Sequence, residues 1–361
     1  MTVLLHLLRR RIAACGPLTV AQYMAEALGH PRHGYYIKRD PLGAAGDFTT
    51  APEISQVFGE LIGLWCADLW QRMGAPDPVL LVELGPGRGT LMQDALRAIG
   101  RAAPGFRAAL RLHLVETSPT LRAAQATRLA DAAPVWLDRL ADLPDGPALV
   151  VANEFFDALP IRQWQRGTGG WHERLVGWDE DAGRLRWELS ARADPGLALI
   201  PDPVRGAPEG SVAEACPAGL SHAALLGRRL AQQGGAALIV DYGPARSAPG
   251  DSFQAVRHHA FVDPLEAPGE ADLTAHVDFQ ALAEAAVQAG AEAHGPVTQG
   301  AFLEALGLRA RAAQLKKASP ARAAEIDAAV ARLAGPEQMG TLFKALALTA
   351  PGLGAPAGFP R

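Results

Sequence analysis

Residues 82–90 read VELGPGRGT, with glycines at the alternate positions Gly85, Gly87 and Gly89 directly after the apolar run VLLVEL. That run predicts a buried strand, and the residues after it, GTLMQDALRAI, have the spacing of an amphipathic helix. A strand that feeds a glycine-rich turn into a helix is typical of a ligand-binding helix N-terminus, because glycine lets the backbone approach a ligand closely. The stretch therefore predicts either a cofactor-binding turn or a purely structural tight turn.

A carboxylate near the turn narrows the choice of cofactor. The dinucleotide fingerprint G-x-G-x-x-G needs a third glycine at position 90, where this chain has Thr90. Glu83 lies at the carboxyl end of the predicted strand, where it faces the ligand crevice. It would repel the pyrophosphate of NAD and attract the methionyl ammonium of S-adenosylmethionine. An NAD-dependent oxidoreductase is therefore disfavoured.

A second acidic residue ends the next predicted strand. ALRLHLVET (109–117) places Glu116 at the strand end where an acidic side chain accepts hydrogen bonds from ribose hydroxyls. The alternative is a surface residue that precedes a helix beginning at Ser118.

Strands and helices alternate from residue 77 onward, which predicts a mostly parallel, doubly wound sheet. The predicted organisation is a helical N-terminal cap (1–76) and one large domain (77–361). The large domain carries a β-rich insertion at 161–234 that contains a hairpin, and a helical segment at 300–334. EAHGPVTQ and TLFKALALT are expected to pair as the last two strands.

The N-terminal sequence MTVLLHLLRRRIAACG is Arg-rich and amphipathic, as a transit peptide would be. The same residues form a good first helix, with Leu4, Leu5, Leu8 and Ile12 on one face. We favour the helix because a second helix follows without a cleavage-like boundary. Further along, Thr50 and Glu53 have the spacing of a capping box.

Composition excludes several classes of protein. The net charge is −4 and no block of like charge stands out, so no nucleic-acid partner is expected. No apolar stretch reaches about 18 residues, so no membrane insertion is expected. The three cysteines form no CxxC pair, so neither a metal site nor a disulfide framework is indicated. A reducing compartment fits, and the expected location is the bacterial cytoplasm rather than the mitochondrial matrix.

Nearly the whole chain resembles the MidA-like methyltransferases. The segments that carry this resemblance are GYY (34–36), GDFTTAPEISQVFGE (46–60), VELGPGRGTLMQD (82–94), ANEFFDALP (152–160), IVDYG (239–243), DLTAHVDF (272–279), TQGAFLEALG (298–307) and MGTLFKAL (339–346). The glycine motif is shared by many methyltransferases, whereas GDFTTAPE and NEFFDALP are far more specific.

The resemblance implies a class I methyltransferase fold, a Rossmann-like α/β architecture with a mostly parallel seven-stranded sheet. It also implies S-adenosyl-L-methionine as cofactor and a loop, GDFTT, that closes over it. The family includes a mitochondrial complex I assembly factor that methylates an arginine of a complex I subunit, so a protein partner of that kind is implied. The implied cofactor residues are Asp47, Phe48, Thr49, Glu83, Gly85, Gly87, Gly89, Thr90 and Glu116.

The segment ANEFFDALP follows the fourth strand, whose end borders the transferring methyl in this fold. A guanidinium keeps its proton at ordinary pH and presents a planar fork of donors, so carboxylates are needed to grip and aim it. Glu154 and Asp157 meet that requirement, and Asn153, Asp241 and His276 are further candidates. Asp157 has the alternative of capping the turn DALP, and His276 that of a structural histidine.

Three functions remain open at this stage. The first is a protein arginine methyltransferase acting on a complex I subunit. The second is a small-molecule methyltransferase, and the third is an assembly chaperone that binds S-adenosylmethionine with little turnover. Acceptor identity depends on surface shape, which the sequence does not supply.

Overall fold

The computed structural model describes residues 2–38, 50–192 and 198–360. The predicted cofactor residues Asp47, Phe48 and Thr49, and with them the expected closing loop, lie outside the described residues. None of the helices within the described ranges is long and apolar enough to cross a membrane.

The helices are α1 (Val3–Cys15), α2 (Val20–Gly29), α3 (Tyr35–Lys38), α4 (Ala51–Ile54), α5 (Gln56–Arg72), α6 (Thr90–Ala102), α7 (Pro104–Ala109), α8 (Pro119–Arg128), α9 (Asp202–Arg205), α10 (Pro217–Gln233), α11 (Phe279–Gln288), α12 (Gln299–Ala305), α13 (Leu308–Ala318), α14 (Ala323–Ala334) and α15 (Met339–Leu342). The strands are β1 (Leu18–Thr19), β2 (Val79–Leu84), β3 (Leu110–Val115), β4 (Val135–Leu137), β5 (Ala148–Asn153), β6 (Arg162–Gly167), β7 (Gly170–Asp179), β8 (Arg184–Leu189), β9 (Val212–Ala215), β10 (Gly235–Tyr242), β11 (Gln254–Arg257), β12 (Ala260–Val262), β13 (Asp272–Thr274), β14 (Glu292–Thr298) and β15 (Phe343–Thr349).

The chain divides into two compact units. The N-terminal unit comprises 1–48, 157–220 and 246–281, and the sheet unit comprises 49–156, 221–245 and 282–361. This division differs from the predicted boundary at residue 76. Helix α5 belongs with the sheet unit because it packs along α6, and much of the predicted insertion belongs with the N-terminal helices because β1 pairs with β7.

The sheet unit is built on one seven-stranded sheet in the order β14-β15-β10-β5-β2-β3-β4. The five strands from β10 to β4 run parallel, while β15 is antiparallel to both of its neighbours. This confirms the predicted fold class and the predicted pairing of the last two strands. Strand order reverses between β2 and β5, and in open α/β sheets ligands bind at the carboxyl ends flanking such a switch point.

Two glycines let α5 lie close against α6, the helix that follows the glycine turn. A Cβ on Gly59 would come within 2.8 Å of the Leu91 carbonyl oxygen, and one on Gly63 within 2.6 Å of the Ala95 carbonyl oxygen. Both contacts are with helix backbone, which cannot move aside. The two glycines therefore fix the close approach of α5 to α6.

Gly63→Ala is expected to destabilise the protein by about 1–3 kcal/mol, because the added methyl overpacks the helix contact. Alanine alone would otherwise favour a helix by about 1 kcal/mol over glycine. Gly100, on α6, is the matched control, since a Cβ there meets nothing within 4 Å. Urea denaturation of both variants should show a loss for Gly63→Ala and none for Gly100→Ala; equal effects would contradict the packing argument.

The N-terminal unit contains a five-stranded sheet, β1-β7-β6-β9 with β8 paired to β7, and a small sheet of β11, β12 and β13. The predicted hairpin is confirmed as β7 and β8, which pair antiparallel. Helix α1 is present as predicted, and it buries Leu4, Leu8 and Ile12 in the core of this unit.

Candidate functional site

The glycine turn between β2 and α6 has a backbone that favours glycine. Gly85, Gly87 and Gly89 have φ values of 62°, 52° and 79°. Residues other than glycine rarely adopt this left-handed backbone conformation. Gly89 also has a close neighbour, since a Cβ there would lie 3.1 Å from Leu129 Cδ1. The sequence motif is therefore a real left-handed turn at the carboxyl end of β2.

Glu83 is the last residue but one of β2 and is 3% exposed. Its Oε2 atom is buried and has no hydrogen-bond partner among the residues that the structure describes. Burial first, and then the nearby carboxylate of Glu116, raises the pKa of Glu83 to about 8. A buried carboxylate without a partner is costly, which is consistent with the predicted cationic partner from the cofactor; that role of Glu83 stays a prediction.

Glu116, at the end of β3, is held from several sides. Its Oε1 accepts the Ser118 backbone N–H at 2.8 Å, and its Oε2 accepts Gln125 Nε2 at 3.3 Å. Burial raises the pKa of Glu116, while these donors act in the opposite direction. Ser118 also caps α8, as expected. The start of this helix and the orientation of the Glu116 carboxylate therefore depend on the same residue. Glu116 is thus oriented before any ligand arrives.

Thr90 begins α6 and is tied to the segment before α5. Its Oγ1 donates to Glu53 Oε1 at 2.5 Å and accepts from the Arg128 guanidinium. The predicted capping box is therefore wrong: Thr50 makes no side-chain cap, and Glu53 binds Thr90. Two separate helices, α4 and α5, follow Thr50, and the side chain of Ser55 caps the start of α5.

The residue after β5, Glu154, has a left-handed backbone with φ 50°, which is uncommon outside glycine and clusters at functional sites. Its Oε1 accepts the Ala51 backbone N–H at 3.2 Å and Asn153 Nδ2 at 3.3 Å. The Asn153 Oδ1 atom is buried without a hydrogen-bond partner in the described part of the chain. The predicted acceptor residues Asn153 and Glu154 therefore lie together.

This turn is adjacent to the glycine turn. Strands β2 and β5 pair in parallel with Leu84 opposite Ala152, so the carboxyl ends of the two strands are adjacent. A Cβ on Gly85 would lie only 3.0 Å from the Phe155 ring. The cofactor candidates and the acceptor candidates of the sheet unit thus share one edge of the sheet.

Asp241, in β10, fastens the Glu154 turn. It is fully buried, and its Oδ2 accepts the Phe156 backbone N–H at 3.0 Å while its Oδ1 accepts the Tyr242 N–H at 2.9 Å. The Glu154 N–H donates to the Val240 carbonyl at 2.9 Å. These bonds assign Asp241 a positioning role, and its predicted catalytic role stays a prediction.

Asp157 and His276 belong to the N-terminal unit. Asp157 is buried, and its backbone carbonyl accepts the Ala275 N–H at 3.0 Å. Burial, then Asp272 and then Asp157, raise the pKa of Tyr36, whose hydroxyl donates to Asp272 at 2.8 Å. His276 is exposed, and its backbone N–H donates to Ser252 Oγ. The catalytic roles of both residues stay predictions.

Sequence reasoning missed three residues that hold this site. Gln125 bonds both the glycine turn and Glu116, while Glu53 and Arg128 bond Thr90. No local spacing predicts these contacts, because the bonds to Gly87 and Thr90 join residues that are distant in sequence.

The comparisons with known proteins agree with this geometry. A family model described as S-adenosyl-L-methionine-dependent methyltransferase matches residues 61–297. The chain belongs to this methyltransferase family. S-adenosyl-L-methionine is accordingly the cofactor of the methyltransferase, and the unpartnered Glu83 oxygen and the left-handed glycines fit it.

Individual relatives extend over nearly all of the methyltransferase. It is 40% identical to "Protein arginine methyltransferase NDUFAF7 homolog, mitochondrial" of Drosophila melanogaster, over 94% of this chain and 83% of that protein. The human NDUFAF7 protein is 37% identical over 96% of this chain and 83% of its own length. A COG1565 superfamily protein of Burkholderia thailandensis, crystallised with S-adenosyl-homocysteine, has a TM-score of 0.85 at 31% identity and covers 98% of this chain and 93% of its own.

These relatives also correct one expectation. The sequence predicts a bacterial cytoplasmic protein, whereas these relatives are named as mitochondrial proteins. The cytoplasmic prediction is therefore contradicted.

Replacing Glu116 by alanine is expected to weaken S-adenosylhomocysteine binding by about 1–3 kcal/mol, the usual loss for a charge-assisted hydrogen bond. The reason is that Ser118 and Gln125 hold the Glu116 carboxylate in one orientation, which is the orientation predicted to accept the ribose hydroxyls. Calorimetric titration measures the change. An affinity equal to that of the unmodified protein would show that Glu116 does not bind the ribose.

Proposed function

We propose that this methyltransferase transfers a methyl group to an arginine side chain of a protein substrate, and that this substrate is a subunit of respiratory complex I. The names of its relatives support the arginine acceptor. The complex I subunit rests on the resemblance to the MidA-like family. Asn153, Glu154, Asp157, Asp241 and His276 are the proposed acceptor-side residues.

The observation that carries the proposal is the carboxylate of Glu154 beside the glycine turn. A guanidinium has five N–H donors and no acceptor, so it needs oxygens that accept in its own plane. Glu154 provides a charged acceptor, and the buried Asn153 Oδ1 provides a neutral one next to it. A carboxylate that accepts a parallel pair of N–H bonds also fixes the direction of the guanidinium plane.

When bound, S-adenosyl-L-methionine supplies a methyl group that is already activated on a sulfonium. The protein therefore has to supply position, exclude water and accept one proton. The guanidinium nitrogen that gains the methyl must lose a hydrogen as a proton. Glu154 is the proposed holder of the fork, and Asp157 and Asp241 are the proposed proton acceptors.

The proposal is tested by incubating the purified protein with methyl-labelled S-adenosylmethionine and a mitochondrial extract. Labelled species are then identified by mass spectrometry. Methylarginine in a complex I subunit is the expected result. An excess of S-adenosylhomocysteine, which should suppress the label, is the control for enzymatic transfer.

The two other functions give different results in the same experiment. Label in a small molecule alone would replace the arginine proposal by a small-molecule methyltransferase. Tight cofactor binding without transfer of label would point to a chaperone that binds the cofactor. Methylarginine in a protein outside complex I would support arginine as the acceptor and contradict the complex I subunit as the substrate.

A further inference from the structure

We propose that Gln125, on α8, is a positioning residue that locks the glycine turn and the ribose-binding carboxylate into one fixed geometry. The proposal rests on the assignment of Glu116 to the ribose hydroxyls. It goes beyond the proposed function because it concerns how the cofactor is recognised, whichever acceptor is methylated.

The side chain of Gln125 is fully buried and makes three hydrogen bonds. Its Nε2 donates to the Gly87 carbonyl at 2.6 Å and to Glu116 Oε2 at 3.3 Å. Its Oε1 accepts the indole N–H of Trp136 at 2.8 Å. One amide therefore joins the turn after β2, the carboxylate after β3 and a side chain of β4.

The chemistry of the partners fixes the orientation of this amide. The Trp136 indole nitrogen is only a donor, so it must face the amide oxygen. The Gly87 carbonyl and the Glu116 carboxylate are acceptors, so both must face the amide nitrogen. The flip ambiguity usual for glutamine is therefore absent. Glutamate at 125 would place a second negative oxygen against two acceptors, and an apolar residue would leave three polar groups unpaired.

Packing supports the same role. A Cβ on Gly89 would lie 3.6 Å from Gln125 Cγ, so the stem of Gln125 fills the space directly beneath the turn. A shift of the Gly87 carbonyl relative to Glu116 would therefore stretch or break a hydrogen bond of this side chain. Without Gln125, Glu116 would keep its backbone donors, Ser118 among them, but lose the side-chain bond to Oε2.

The consequence is a specific effect on ribose recognition. Gln125→Met nearly preserves volume and removes the three hydrogen bonds. It is expected to weaken S-adenosylhomocysteine binding by about tenfold, the size of one lost hydrogen bond to a charged group. Binding of the 2′-deoxy analogue should fall less, because that ligand already lacks one hydroxyl for Glu116. The preference for the ribose form should therefore shrink.

The experiment is calorimetric titration of both ligands against four variants. Gln299 is the matched control, since it is also fully buried in the sheet unit and its Nε2 donates to the Leu333 carbonyl. Gln299→Met should lower thermal stability and leave the ribose preference unchanged. Trp136→Phe, which removes only the indole donor, should reduce the preference partly. Glu116→Gln should abolish most of it.

Three outcomes overturn the proposal. If Gln125→Met weakens both ligands equally, as a general loss of stability would, Gln125 is only structural. If Gln125→Met does not fold and Trp136→Phe leaves the preference intact, the orientation argument fails. If Glu116→Gln leaves the preference intact, the ribose assignment fails and this proposal falls with it. None of these results bears on arginine as the acceptor, so the two proposals fail separately.

Discussion

Glu154→Gln is expected to reduce single-turnover methylation on the order of a hundredfold, because the acceptor guanidinium loses its charged partner. Cofactor affinity should stay the same. Glutamine has nearly the same volume, and its carbonyl oxygen can still accept the Ala51 N–H that now binds Glu154 Oε1. The left-handed turn and its fastening to Asp241 are untouched by the substitution.

The measurement is methylation of the substrate found in the labelling experiment, with saturating S-adenosylmethionine and with cofactor binding measured in parallel. Glu325→Gln is the control, since Glu325 lies in the same unit and its side chain is exposed. A Glu154→Gln variant that methylates as fast as the unmodified protein would contradict the proposal that the Glu154 carboxylate holds the guanidinium. A variant that also loses cofactor binding would indicate damage to the turn.

Asp157→Asn gives a comparison of the two proposed acidic groups. We expect a loss in the same direction as for Glu154→Gln, but smaller, since Asp157 has the alternative of capping its turn. The same single-turnover assay measures it. A larger loss for Asp157→Asn than for Glu154→Gln would make Asp157 the principal partner of the guanidinium.

The central part of the sheet unit could be predicted because its signals are local. A buried strand, a left-handed turn and an amphipathic helix follow one another within residues 79–102, and each is encoded by residues next to each other in the chain. The final strands could be paired because both are apolar and bounded by turn residues. The position of Glu83 and Glu116 at one edge could be predicted because strand ends meet there in a parallel sheet; their roles toward the cofactor stay predictions.

What could not be predicted depends on long-range contacts. Thr50 and Glu53 have capping-box spacing, but Glu53 bonds Thr90, which no local rule anticipates. The division into units was missed because β1 pairs with β7 across the chain. Gln125 looked like an ordinary helix residue, since its three partners come from three separate strands or turns.

The second large effect is expected at Glu83, whose substitution should change both the affinity for S-adenosylhomocysteine and the proton release on binding. The pKa of its carboxyl is raised to about 8 by burial and by Glu116. At pH 7 a group with that pKa is ionised in only about one tenth of the molecules. The ligand amine, with a pKa of about 8 if it resembles a chain amino group, is mostly charged at the same pH.

In the predicted arrangement, binding would bring this ammonium to the Glu83 oxygen that lacks a partner within the described residues. An opposite charge at close range lowers a carboxyl pKa, so Glu83 should ionise and release about one proton per ligand bound at pH 6–7. Because the proton leaves, affinity should rise with pH, by about tenfold per unit between pH 6 and 7.

Glu83→Gln is therefore expected to weaken S-adenosylhomocysteine binding by about 2–5 kcal/mol, the cost of leaving one member of a buried charge pair alone. Its binding should release no proton and should be flat between pH 6 and 7, because the amide does not titrate. Calorimetry in two buffers with different ionisation enthalpies counts the protons directly. Identical enthalpies in both buffers for the unmodified protein would mean that Glu83 does not lose a proton on binding. If Glu83→Gln also binds as tightly as the unmodified protein, Glu83 does not face the amine and the cation-binding interpretation of this carboxylate is wrong.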